Sequence, residues 1–587
     1  MLATHVSAHH NLALLSTPPR IRCSYNALNG VPMCANEWFQ TRLMRGEWGL
    51  GLATGGGSYC QADCGAVTSI GPGDDSNVVH NYVANATLAA AAALNAGTDM
   101  DCFGGFNEGM LQAAIDAGYT SEAVVDASLK RTYTLQFLAG RFDPLEAQPL
   151  TRIPFEAIDS EDHRALAFEA ALQGMVLLRN DAGILPLPAV NEGRIAVIGP
   201  MGNVSESLLG NYFQQRCAAD PTTFDCVPTI AAAMLAANGG SGVTFSQGVD
   251  MNNDGEGGIS AALAAASEAD TVVLTLGFDR TVANEALDRS DIRLPGRQLE
   301  LALAILKLRR PRTVILLLSG TALSVDELAA WTGSAPIAIV QAFLPGQAGG
   351  VPIARHLFGF ANRWGKLPVT IMPAAFAGQL PLDEMDMAVG PGRTYKYYTG
   401  APLYPMGFGL SYTRFELQGG ACSVAGASPT GAQKGMPVQL RASDTMRCSA
   451  VVLNVGTRDG DEIVQVYVEP DHQVVSWPAG ATKVPFVLRR LATWERVFVG
   501  AGSAVTVSFN IPHAQLYSTD AVRLAAVSAR ACCWPSRTFA FTILHEHRKH
   551  CTSTCRTCRP GRTSCCQVST RCASQMEIRA ATAARFS

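Results

Sequence analysis

Ile195-Ala-Val-Ile-Gly199, Thr271-Val-Val-Leu-Thr-Leu-Gly277, Thr313-Val-Ile-Leu-Leu-Leu-Ser-Gly320 and Pro336-Ile-Ala-Ile-Val-Gln-Ala342 are the stretches that decide the fold. Each is a short run, apolar on both faces, that ends in Gly or a polar turn, as strands of a parallel sheet covered on both sides do. Ala-rich or amphipathic segments at 259–269 and 299–309 lie between them and read as the covering helices. The alternation predicts a doubly wound α/β domain over 165–380, whose ligands belong at the carboxyl ends of the strands.

Downstream of Gly435 the rhythm changes to period two. In 462–468, Val464, Val466 and Val468 share one face; in 505–511, Val505, Val507, Phe509 and Ile511 alternate with Thr506, Ser508 and Asn510. These are half-buried antiparallel strands, and turn signals at Thr457-Arg-Asp-Gly and Gly500-Ala-Gly complete the signature of a β-sandwich over 436–525, joined by a linker over 381–435. Upstream, helices are expected at 85–95, 110–117 and 121–138, with few strand signals among them.

The chain has 587 residues, enough for several domains, and its 48% apolar and 16% charged composition describes packed helices and sheets. A net charge of -4 provides no footprint for nucleic acid, and no apolar run approaches the ~18–20 residues that span a bilayer. A soluble protein acting on a neutral ligand fits. Of the 17 cysteines, the close pairs Cys23/Cys34, Cys60/Cys64 and Cys217/Cys226 suggest bridges in an oxidising compartment. The sequons Asn85-Ala-Thr and Asn203-Val-Ser agree with secretion. Met1-Leu-Ala-Thr-His-Val-Ser-Ala-His-His has neither the basic nor the apolar region of a signal peptide.

Two carboxylates stand out. One lies in Cys60-Gln-Ala-Asp63-Cys-Gly-Ala-Val, after Cys23-Ser-Tyr-Asn-Ala-Leu-Asn-Gly and Leu43-Met-Arg-Gly-Glu-Trp-Gly; the other lies in Val282-Ala-Asn-Glu285-Ala-Leu-Asp-Arg, before Leu294-Pro-Gly-Arg-Gln. With Asn95-Ala-Gly-Thr-Asp-Met-Asp-Cys, Leu208-Leu-Gly-Asn-Tyr, Leu344-Pro-Gly-Gln-Ala-Gly-Gly, Gly392-Arg-Thr-Tyr-Lys-Tyr-Tyr and Pro405-Met-Gly-Phe-Gly-Leu-Ser-Tyr, the sequence from about 20 to 520 resembles glycoside hydrolase family 3, in its β-xylosidase/α-arabinofuranosidase-like branch. The resemblance implies an α/β multidomain fold: the C-terminal part of a (β/α)8 barrel over 1–155, the α/β sandwich domain, and a fibronectin-III-like β-sandwich.

It also implies an exo-acting retaining hydrolase that releases xylose or arabinose from non-reducing ends of xylan-derived oligosaccharides, extracellular or in the cell wall, with no cofactor and no metal. Such enzymes use a carboxylate nucleophile and a carboxylic acid/base about 5–5.5 Å apart. By motif Asp63 is the nucleophile and Glu285 the acid/base, with the Tyr25 hydroxyl directed at the nucleophile and Arg45 positioning that carboxylate. The rival is a catalytically inactive carbohydrate-binding or scaffold remnant, because the family's earlier barrel strands and their sugar-gripping residues are absent from this sequence.

Other features carry bland readings beside these. Asp99 and Asp101 either touch substrate or close a turn, and His163-Arg164 reads as a helix start. Ile198-Gly-Pro-Met-Gly-Asn lacks the Gly-Lys-Ser/Thr ending of a phosphate loop. The segment 49–62, with Gly55-Gly-Gly and no β-branched run, predicts a weak strand before Asp63. Residues 526–587, with eight cysteines from Cys532 onward, are expected to be a disordered Cys/Arg-rich tail; His545, His547 and His550 beside Cys551, Cys555 and Cys558 lack the paired spacing of a zinc module.

Overall fold

A computed structural model describes residues 20–50, 58–72, 79–102, 104–188, 193–213, 223–253, 255, 258–285, 287–310, 312–333, 335–381, 383–424, 445–470, 487–512, 515 and 539–544. The chain divides into two units, Met1–Ala157 and Ile158–Ser587.

In the first unit β1 (Arg20–Cys23) is followed by a small antiparallel hairpin of β2 (Ala27–Leu28) and β3 (Val31–Pro32), and pairs in parallel with β4 (Tyr59–Ala62). The weak strand is thus real but short, and Gly55-Gly-Gly lies outside the described residues. A bridge between Gln61 and Met100 extends the parallel pairing. A π-helix, Trp38–Glu47, had no signal in the sequence. Helices α1 (Ala86–Ala96), α2 (Glu108–Asp116) and α3 (Glu122–Leu138) form where the pattern places them. Asn85 and Asn107 start the first two by accepting from the backbone N–H groups of Leu88 and Met110, the usual role of a side-chain cap. The core gathers Cys23, Cys34, Cys60, Ala62, Val67, Ile70 and Ala89. By contrast Tyr133, Phe137 and Leu138 on α3, and Phe142, Leu150 and Phe155 beyond it, are exposed.

The second unit opens with α4 (Glu161–Gly174), capped by Ser160, which accepts from the His163 N–H. Its sheet contains β5 (Val176–Asn180), β6 (Ile195–Ile198), β7 (Val243–Ser246), β8 (Thr271–Gly277), β9 (Arg312–Leu318) and β10 (Ile337–Gln341), in the order β5-β10-β9-β8-β6-β7. The four decisive stretches occupy its centre. Alternate residues of each central strand feed opposite cores: Val197, Val273, Leu316 and Val340 on one face, Ile198, Leu274, Ile315 and Ile339 on the other. Burial on both faces is why these strands read as unbroken apolar runs. The four stretches run parallel to one another, as expected, and at one edge β5 runs antiparallel to β10. Helices α5 (Ile230–Ala237), α6 (Ile259–Glu268), α7 (Gln298–Leu306), α8 (Asp326–Ala329) and α9 (Val351–Leu357) complete this part.

Two three-stranded antiparallel sheets follow, β11 (Phe415–Val424), β12 (Thr445–Asn454) and β15 (Ala504–Pro512) in one, β14 (Arg490–Val499), β13 (Gly460–Pro470) and β16 (Phe539–Leu544) in the other. Phe415, Met446, Val452, Val464, Val466, Phe509 and Ile511 form their shared core. Two boundaries shift from the sequence reading. β11 lies in the expected linker, tied to β12 by the Cys422–Cys448 disulfide. β16 lies in the expected tail, because Phe539-Ala-Phe-Thr-Ile-Leu is an apolar run able to pair along β13. Among the described residues no helix is long and apolar enough to cross a membrane.

The sheet pair is joined to the preceding part through a buried charge cluster. The Asp461 side chain, 1% exposed, accepts from Arg363 at 2.9 Å and Arg496 at 3.1 Å. Arg496 also donates to the carbonyls of Gln173, Arg363 and Trp364 at 2.9, 3.2 and 3.3 Å. Lys366 pairs with buried Glu462 at 3.2 Å. Beside this cluster His356 on α9 stacks on Trp364 and bonds the Leu172 carbonyl at 2.9 Å.

Burial lowers the His356 imidazole to about 4, with the bond to Leu172 opposing the shift. The unfolded imidazole takes its proton near ~6.5, so the unfolded chain binds the extra proton first and stability falls as pH drops from there toward 4. The full loss is about 3 kcal/mol. Urea unfolding at pH 7 and at pH 4.5 should show this slope in the native chain and a shallower one in His356→Gln; equal slopes would remove His356 as its source.

Candidate active site

Asp63 sits just past the carboxyl end of β4. Its N–H donates to the Cys23 carbonyl at 2.9 Å, continuing the pairing with β1, and its Oδ1 accepts from the Cys64 N–H at 2.8 Å. Arg22, on β1, forms an ion pair with the same oxygen. Two donors therefore hold the carboxylate, whose side chain is 22% exposed, and the backbone bond to Cys23 fixes the residue that carries it. The Tyr25 hydroxyl donates to the Cys64 carbonyl, one residue away from the expected nucleophile.

Arg45 faces a different carboxylate. It donates to Asp99 Oδ2 at 2.7 Å and to the carbonyls of Ser58 and Gly97 at 3.1 and 2.7 Å. Arg131, on α3, holds Asp99 Oδ1 at 2.6 and 2.9 Å, and the Cys60 N–H donates to Oδ2 at 2.8 Å. Burial pulls the Arg45 guanidinium below its ordinary value, with Asp99 opposing. The cluster requires glycine at 97: its φ is +106°, and a Cβ there would stand 2.2 Å from Arg45 Nη1. Asp99 is thus a buried hub beneath the β4 strand, and Asp101 closes a turn by accepting from the Gly105 N–H.

The expected Cys60–Cys64 bridge does not form. Four residues of extended chain span about 13 Å, too far for a disulfide. Cys64 instead joins Cys102, across a Cα separation of 4.9 Å. Cys60 stays free in the core, where burial pushes its thiol up to about 12. Cys23–Cys34 forms as the spacing suggests. Cys226 is disulfide-bonded, and Cys217 lies outside the described residues, as do the histidines and cysteines beyond 544.

Glu285 belongs to the second unit, at the tip of a turn that Asn284 and Leu287 close through mutual backbone bonds of 3.1 and 3.2 Å. The turn follows β8. Since β7 lies on one side of β6 and β8 on the other, the strand order reverses between β6 and β8, the crevice where ligands of open α/β sheets gather. Gly199 allows the two strand ends to approach: its φ is +128°, and a Cβ would meet the Thr275 carbonyl oxygen at 2.3 Å. That close packing, not phosphate binding, accounts for the glycine after Ile198. The segment after β6 supplies Tyr212, whose hydroxyl donates to Glu285 Oε2. Arg289 lies 4.1 Å from the Phe278 ring centroid and bonds the Ala322 carbonyl, anchoring the turn's far side.

Sequence reasoning passed over Arg22, Arg131 and Tyr212. Tyr212 ends Leu208-Leu-Gly-Asn-Tyr, and its position after a strand is the signal that could find it. Among the described residues no group of three or more His, Cys, Asp or Glu is placed to hold a metal ion.

Residues 175–412 match the family model for the glycosyl hydrolase family 3 C-terminal domain. A probable exo-1,4-beta-xylosidase of Aspergillus clavatus is 37% identical over 485 residues, which cover 81% of this chain and 58% of the relative. The exo-1,4-beta-xylosidase of Emericella nidulans is 39% identical over 398 residues, or 67% and 49% of the two chains. Beta-D-xylosidase 1 of Arabidopsis thaliana is 33% identical over 509 residues, 84% and 62%. Among solved structures, an exo-beta-xylosidase bound to a xylobiose aziridine probe superposes with a TM-score of 0.73 at 29% identity, over 89% of this chain and 64% of that one. The chain spans about half to three fifths of the length of the curated relatives it matches.

Proposed function

We propose, for a chain that belongs to glycoside hydrolase family 3, an exo-acting retaining hydrolysis that releases xylose, or arabinose, from the non-reducing ends of xylan-derived oligosaccharides. The reading rests on identity of 33–39% to relatives named xylosidases. Asp63 is assigned the nucleophile and Glu285 the acid/base. In the first step Glu285 gives its proton to the glycosidic oxygen as the bond to the leaving sugar breaks, and Asp63 forms an ester with the anomeric carbon. In the second step Glu285 takes a proton from water, which displaces the ester and frees the sugar. Arg22 and the Cys64 N–H both donate to the Asp63 carboxylate and fix its position. Tyr25 holds the Cys64 segment, and Arg45 acts through Asp99 on the strand that carries Asp63.

The parallel β1–β4 pair with its Gln61–Met100 bridge supports reading the first unit as part of a (β/α)8 barrel, and the paired three-stranded sheets support a fibronectin-III-like domain. The disulfides Cys23–Cys34, Cys64–Cys102 and Cys422–Cys448 favour an extracellular or cell-wall location.

The test is turnover of xylobiose by the whole chain and by Glu285→Gln. Loss of the proton donor should lower kcat/KM by about 10²–10⁴-fold, while 2,4-dinitrophenyl xyloside, whose leaving group departs without a proton, keeps most of its kcat/KM. Turnover of neither substrate by the native chain would count against the hydrolase and for a carbohydrate-binding remnant.

A further inference from the structure

The segment after β6 and the segment after β8 are stitched together at four points. Glu206 pairs with Arg280. The Ser207 hydroxyl donates to Asp279 Oδ2. Arg280 lies 5.3 Å from the Phe213 ring centroid. Tyr212 reaches Glu285 Oε2. Asp279 is itself organised by the Thr281 hydroxyl and N–H, at 2.6 and 2.9 Å from Oδ1. Burial opposes its ionisation, but the bonds from Ser207 and Thr281 outweigh that and hold the carboxyl below its ordinary value.

Tyr212 is an outlier within this ladder. Its φ is +61°, a left-handed conformation that a bulky residue rarely adopts, and its side chain is largely in solvent, the residue being 76% exposed. Neither backbone preference nor burial explains the placement. Its hydroxyl bonds Glu285, and strain of this kind persists where surrounding contacts impose it.

We infer that Tyr212 is a positioning residue for the proton donor: its hydroxyl occupies Oε2 of Glu285 and leaves Oε1 to carry the proton to the glycosidic oxygen. The inference rests on the acid/base assignment of Glu285. The bond serves both states of the carboxyl group, because Oε2 is an acceptor as the carbonyl oxygen of the acid and as an oxygen of the carboxylate. The loop ladder keeps Tyr212 in reach through Glu206, Ser207 and Phe213, and a displaced donor loses rate steeply.

Tyr212→Phe keeps the ring and the backbone and removes only the hydroxyl. For xylobiose, which needs the proton, kcat/KM should fall about tenfold, the equivalent of one hydrogen bond to an ionisable group. For 2,4-dinitrophenyl xyloside it should change by less than about twofold. Arg280→Met, which cuts the ladder without touching Glu285, should give a smaller fall with the same dependence on leaving group. An equal fall for both substrates in Tyr212→Phe would show a structural or binding role and overturn the inference, as would no change for either. If Glu285→Gln retains full activity on xylobiose, or the native chain turns over neither substrate, the acid/base assignment itself fails and the inference goes with it.

Discussion

Asp63→Asn should leave the chain folded and remove glycoside turnover beyond the ~10²–10⁴-fold attributable to acid–base catalysis alone. The amide retains an oxygen that can accept from the Cys64 N–H, and the partner left behind, Arg22, is 58% exposed and free to turn to water, so little stability is at stake. What disappears is the charge that Arg22 pairs with and the nucleophile that forms the ester. Two measurements check this. Thermal melts of the two proteins should coincide, and intact-mass spectrometry with a 2-fluoroxylosyl fluoride should show one adduct on the native chain and none on the variant. An adduct mapped to another carboxylate would reassign the nucleophile.

Asp99→Ala should be the most damaging of the stability changes, at about 3–5 kcal/mol, the usual cost of leaving buried charges unpaired. The Asp99 side chain is fully buried, and its loss strands Arg45 and Arg131, which are 13% and 22% exposed, along with the Cys60 N–H. Because the Cys60 carbonyl also accepts from the Asp99 and Met100 N–H groups, at 2.7 and 3.1 Å, the perturbation runs along β4 to Asp63. Urea unfolding of the whole chain, followed by a probe in the first unit such as Trp48 fluorescence, measures it. A change below about 1 kcal/mol would show that the two guanidinium groups find water once the carboxylate is gone.

The doubly wound sheet was legible because burial on both faces leaves no choice of residue: Val272 to Leu276 and Val314 to Leu318 can only be central strands. Its edges were not. β7 is Val243-Thr-Phe-Ser, half exposed and four residues long, and nothing in Val176-Leu-Leu-Arg-Asn marks direction, so the antiparallel sense of β5 is a fact of tertiary pairing. The carboxylates were legible only through the phrases around them. Asp99 could not be distinguished from a turn residue, because its two arginines come from positions 45 and 131, and no local pattern joins residues so far apart. The pairing of Cys64 with Cys102 was hidden for the same reason.

The cluster around Asp461 bears on where this protein can be cut. The span that matches the family model ends at residue 412, before β11 begins, and a recombinant boundary drawn there looks natural. It would remove the carboxylate partner of Lys366 and one partner of Arg363, and it would uncap the carbonyls of Gln173, Arg363 and Trp364 that Arg496 holds. The terminal sheet pair is therefore no detachable appendage. Gene-level shuffling that separates it from the α/β sheet parts Asp461 and Glu462 from Arg363 and Lys366.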